Sequence, residues 1–135
     1  MPVRRFALPA LLAVGLVGAA HAQDPLTADQ FDALTLGRTM TWSEFGRVYG
    51  VEQYLPDRRV RWTFLGDVCD TGHWYPQGTA ICFQYDTNPG PVCWEISETA
   101  TGLAAHLVGD PPDIAPVQIV DTTEPLACFG PEVGV

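Results

Sequence analysis

The sequence predicts a mainly β fold: a small antiparallel β-barrel or strongly curved sheet with one short N-terminal helix, behind a cleaved signal peptide. Three observations lead there. Seven or eight short stretches of period-two alternation follow one another, separated by turn signals. They are densest from Arg58 to Glu98, a stretch holding three of the four cysteines and three of the four tryptophans. The first 22 residues have the build of an export signal. A two-sheet sandwich is the competing arrangement.

Arg4 and Arg5 form a basic start, Phe6 to Ala20 is an uncharged apolar run, and Ala20-His21-Ala22 is a small-x-small cleavage site. The run is shorter than the roughly 20 residues a membrane span needs. Residues 1–22 are therefore read as the signal peptide. Residues 23–135 (135 − 22 = 113) are read as a single small β domain with no further run of membrane length. The location expected for such a chain is periplasmic or secreted.

All 16 acidic residues lie after the signal, against five arginines and no lysine, so the mature charge is 5 − 16 = −11. Phosphate binding needs clustered cations, so nucleic acid is not an expected partner. Four cysteines in an exported chain imply two disulfides. The spacing of Cys69, Cys82, Cys93 and Cys128 contains no CxxC pair, which argues against zinc and against thioredoxin-like redox chemistry.

Thr27 and Gln30 form a capping box ahead of a short helix over Ala28–Leu36, with Phe31 and Leu34 on one stripe and Gly37 as its stop. Strand patterns follow at Arg38–Ser43, with Met40 and Trp42 on one face, and at Tyr49–Leu55, with Tyr49, Val51 and Leu55 in phase. Pro56-Asp57 marks a turn. Val60, Trp62 and Phe64 then alternate with Arg59, Arg61 and Thr63. The next strand begins at His73-Trp74-Tyr75, and Pro76 assigns it to an edge or a bulge. Ile81, Phe83 and Tyr85 share a face, as do Val92, Trp94 and Ile96. Two further strands are read at Leu103–Val108 and Ile114–Asp121, with Pro111, Pro112 and Pro116 placing them at edges.

The turn Asp86–Pro91 fixes the disulfides. A hairpin centred between Thr87 and Asn88 sets residue 82 opposite 93, and it places Ile81, Phe83, Val92 and Trp94 on one side together. Directly opposed residues have Cβ atoms about 4.5–5.5 Å apart, near enough to close a disulfide. Cys82–Cys93 is therefore expected, and Cys69 is left for Cys128 in a tail rich in proline and glycine. The rival pairing, Cys69–Cys82 with Cys93–Cys128, leaves the hairpin unstapled.

Gly72-His73-Trp74, Ile81-Cys82-Phe83-Gln84-Tyr85 and Cys93-Trp94, with Gly37-Arg38-Thr39-Met40 and Tyr54-Leu55-Pro56 before them, resemble a group of small exported proteobacterial proteins of unknown function. The resemblance runs from about Leu26 to Ile96. It implies a lipocalin-like small β-barrel in the periplasm and brings no catalytic residues with it.

Candidate sites are few. Trp42, Trp62, Phe64, Trp74, Phe83 and Trp94 either fill the core or line a ligand cavity, with core filling the more ordinary role. Arg58, Arg59 and Arg61 form a cationic cluster that suits an anion or an acidic partner, or else a solvated strand face paired with the chain's own carboxylates. Asp67, Asp70 and His73 crowd one loop without a calcium-loop pattern, and no metal is assigned to them. Ser43 and Ser97, the serines after the signal, lie in no GxSxG elbow, and no GxGxxG or P-loop motif occurs. No cofactor and no catalytic residue is assigned. The expected function is a binding or accessory protein for a small apolar ligand or an envelope partner. The alternatives are a structural or hydrolase-inhibitor-like interaction module and, less in keeping with these residues, an enzyme of unidentified reaction.

Overall fold

The computed structural model describes residues 23–66, 68–122 and 125–128, together with Met1. The signal segment inferred above lies outside them. The alternating stretches form eight strands: β1 (Thr39–Glu44), β2 (Arg47–Tyr54), β3 (Arg59–Phe64), β4 (Asp70–Gln77), β5 (Ala80–Tyr85), β6 (Val92–Glu98), β7 (Leu103–Leu107) and β8 (Val117–Asp121). Each pairs antiparallel with the next, and β8 returns to β1, so the sheet closes as an up-and-down barrel. Closure decides among barrel, curved sheet and sandwich. It leaves no sheet edge to protect.

The seam is held at the β1–β8 register, where Trp42 opposes Ile119. Beside it, Arg38 Nη1 meets Asp121 Oδ2 at 2.8 Å, and Thr122 N–H donates to Thr39 O at 3.0 Å. Pro111, Pro112 and Pro116, read as edge signals, sit in the β7–β8 connection. Pro76 lies inside β4 without breaking the barrel. The β3–β4 ladder stops at the Arg59–His73 pair, so β4 runs on past β3 where a missing N–H forfeits no ladder bond.

Helix α1 (Ala28–Thr35) begins with the expected capping box: Thr27 Oγ1 accepts from Gln30 N–H, and Gln30 Oε1 accepts from Thr27 N–H. It ends before Gly37, whose φ of +77° suits glycine. Phe31 is fully buried and meets Tyr54, Trp74 and Phe83 edge-on, with ring centroids 5.6, 5.0 and 6.2 Å away. Leu26 N–H donates to Ile96 O at 2.6 Å. The helix thus plugs the end of the barrel that carries the β2–β3, β4–β5 and β6–β7 connections. Arg58 adds to the plug, with its guanidinium 4.8 Å over the Trp74 ring.

Both disulfides have the expected pairing. Cys82–Cys93 links residues directly opposed in the β5–β6 register, and Cys69–Cys128 ties the tail to the segment before β4.

The facing of β2 differs from the sequence reading. Gly50, Glu52 and Tyr54 are the buried residues of this strand, while Val51 is half-buried. A bulge is the cause. Trp42 pairs with Gly50 but Ser43 pairs with Val48, so Tyr49 is an extra residue that reverses the phase on either side of it.

Candidate functional site

The end opposite α1 is open. The strands there carry aromatic side chains inward, and between them lies a cavity of about 310 Å³. Trp42, Trp62 and Trp94 form its inner wall, and Tyr49, Phe64 and Tyr85 stand nearer the mouth. Val68, Asp70, Thr87, Asn88 and Val92 complete it. The rings cross steeply: Trp42 is 5.9 Å from Trp62 and 5.4 Å from Trp94, and Trp62 is 5.3 Å from Phe64. Gly50 makes room for this. A Cβ there would stand 2.0 Å from the Trp62 ring.

The six aromatics singled out from the sequence therefore divide. Trp74 and Phe83 pack under the helix. Trp42, Trp62, Phe64 and Trp94 line the cavity, with Trp42 and Trp62 also belonging to the core cluster. Trp94 faces inward as expected but is half-buried, because the cavity lies in front of it.

Glu52 was not legible as a site residue, because a carboxyl between Val51 and Gln53 reads as solvent-facing. It is 0% exposed. In register it opposes Met40 on one side and Trp62 on the other, and Trp62 in turn opposes Asp70. A carboxyl thus flanks Trp62 on each side of the inward row. Tyr85 hydroxyl donates to Glu52 Oε1 at 3.0 Å, while Oε2 makes no hydrogen bond among the described residues. Burial pushes the Glu52 carboxyl well above its ordinary range; the Tyr85 bond opposes this and the nearby Asp70 charge adds to it. Asp70 accepts a short hydrogen bond from the Thr87 hydroxyl. Burial, with Glu44 and Glu52 close by, raises the Tyr49 phenol to about 12. Burial, with the Glu52 carboxyl adding to it and the Trp42 indole opposing it, raises the Tyr54 phenol well above its ordinary value, and neither Trp42 Nε1 nor the Tyr54 hydroxyl makes a hydrogen bond among the described residues.

The mouth is rimmed by apolar side chains. Phe45 (80% exposed) comes from the β1–β2 turn and Val48 from the start of β2, Phe64 (56%) from the end of β3, Leu65 and Val68 from the β3–β4 connection, and Val108 and Ile114 from the β7–β8 connection. Two larger clefts among the described residues, of about 430 and 390 Å³, are open grooves that contain none of these aromatics.

The arginine cluster does not act as one patch. Arg58 sits in a one-turn 3-10 segment at φ 56°, over Trp74 and 3.9 Å from Asp29. Arg59 is exposed and Arg61 half-buried on the outer face of β3. Of the crowded loop, Asp70 faces the lumen and His73 the outside, and Asp67 lies outside the described residues. No group of metal-ligating side chains occurs among the described residues.

Compared with protein-family models, with curated proteins and with solved structures, the chain matches none.

Proposed function

We propose that this is an exported binding protein that takes a small, mainly apolar ligand into the open end of its barrel. The observation that carries the reading is the aromatic cavity itself. An eight-stranded barrel is just wide enough to be filled by side chains or to hold one small ligand. Here α1 fills one end and a cavity of about 310 Å³ occupies the other. A cavity of about 150 Å³ accommodates benzene, so this one suits a body of one or two rings with short substituents. Its walls are mainly aromatic with a few polar groups (Asp70, Thr87, Asn88), as for ligand sites generally. The leader sequence, the two disulfides and the resemblance to lipocalin-like exported proteins support a periplasmic or secreted location.

Native mass spectrometry of protein purified without denaturation from the periplasm tests this. A small-molecule adduct is expected, and it should disappear in Val92→Trp, which fills the mouth. Adduct-free wild-type protein, or an adduct equal in both, contradicts the reading.

The apolar rim favours one second reading, in which an envelope protein docks on the open end as it would on an interaction or inhibitor-like module. Under that reading Phe45→Ser and Leu65→Ser abolish association while Val92→Trp preserves it. Ligand binding predicts the opposite sensitivity.

A further inference from the structure

We propose that the cavity takes an organic cation: a small amine or quaternary ammonium group carried on an apolar body. The inference rests on the ligand-binding reading and specifies the ligand's class.

The walls supply ring faces in several directions. Trp62 lies edge-on to Trp42 and Phe64, with interplanar angles of 86° and 87°, and tilted at 59° to Tyr49. Crossed aromatic faces, tryptophan best of all, attract an ammonium placed within about 6 Å of their centroids. The ionisable side chains around them are carboxyls and phenols, which can bear only negative charge. Glu52 and Asp70 stand on either side of Trp62 in the inward register, and Tyr85, which lines the cavity, hydrogen-bonds Glu52 at 3.0 Å. No arginine or histidine is among the lining residues described, and the chain has no lysine. The nearest arginine in sequence, Arg61, sits on the other face of the same strand.

Glu52 gives the second, independent indication. It is fully buried, one carboxyl oxygen is without a hydrogen bond, and no cation pairs with it among the described residues. A buried carboxyl in that state is costly unless it is protonated or given a counter-charge. A ligand ammonium seated against Trp62 would supply the charge. An anion would meet the lining carboxyl of Asp70, with Glu52 buried behind Tyr85 and no cation among the described lining, so the lining disfavours a carboxylate ligand.

Tryptophan fluorescence titrations with three size-matched probes test the inference: benzyltrimethylammonium, its neutral isostere neopentylbenzene, and the anion 3-phenylpropanoate. The cation should bind at least about tenfold more tightly than the isostere, and the anion most weakly. The cation-to-isostere ratio should fall toward one in Glu52→Gln and in Asp70→Asn, the latter at the half-buried mouth where folding is least at risk. Circular dichroism verifies the fold of each. Equal or tighter binding of neopentylbenzene overturns the cation assignment and leaves the ligand-binding reading standing. An unchanged ratio in both variants overturns it as well. Failure of all three probes to bind overturns both.

Discussion

Glu52 is a fully buried carboxyl, and its effect on stability has a definite sign. In the unfolded chain its carboxyl ionises near the ordinary value of 4.5, whereas burial keeps it protonated in the barrel to well above that. Its contribution is therefore fully present below 4.5 and is lost as pH rises through the raised folded value. Within that window stability declines by about 1.4 kcal/mol per pH unit from this group alone. Glu52→Gln should remove that slope and leave the protein more stable than wild type at neutral pH, read by urea unfolding between pH 4 and 8. Identical slopes for the two proteins would place the carboxyl in solvent. The two inward tryptophans β4 and β6 contribute should also separate. Trp74→Ala, in the packed plug, should cost about 3–5 kcal/mol, whereas Trp94→Ala should cost distinctly less and instead weaken ligand binding. Alternation alone assigns Trp94 to the inside. It says nothing of whether the inside is filled there, because that depends on how eight strands and a helix share one lumen. Gly50 illustrates the same point: a glycine between Tyr49 and Val51 reads as neutral, yet Gly50→Ala must displace the Trp62 ring and so should impair binding before it impairs folding.

The elements written most clearly in the chain were those governed by local rules. The Thr27/Gln30 box and Gly37 bound the helix, and the Asp86–Pro91 turn sets the β5–β6 register that brings Cys82 to Cys93. What escaped was non-local. The bulge at Tyr49 is visible only against β1, and it moved Glu52 inward. The prolines of the β7–β8 connection read as edge markers because closure of β8 on β1 has no signature within either strand. The two ends of the barrel are secured differently, which a denaturation series can resolve. Phe31→Ala should cost about 3–5 kcal/mol by unplugging the core. Cys69→Ser with Cys128→Ser removes a link spanning 59 residues, worth roughly 4 kcal/mol on the chain-entropy model. Calorimetry that finds either loss below about 0.5 kcal/mol, the scale of a surface substitution, would mean that the element concerned is not docked as described.

At the scale of the molecule the barrel is a cup with a sealed base and an open, aromatic, acid-flanked mouth. Three of its four tryptophans line the cavity behind that mouth and the fourth lies under the helix. That distribution supplies an internal control. In a nitrogen-labelled sample, each tryptophan indole gives one N–H signal, assignable by single substitution. Titration with naphthalene, a neutral two-ring probe that fits the cavity, should shift the signals of Trp42, Trp62 and Trp94 together, saturably, and leave Trp74 in place. Four unmoved signals, or a shift of Trp74 equal to the others, would contradict the claim that the open end of this barrel is a ligand site.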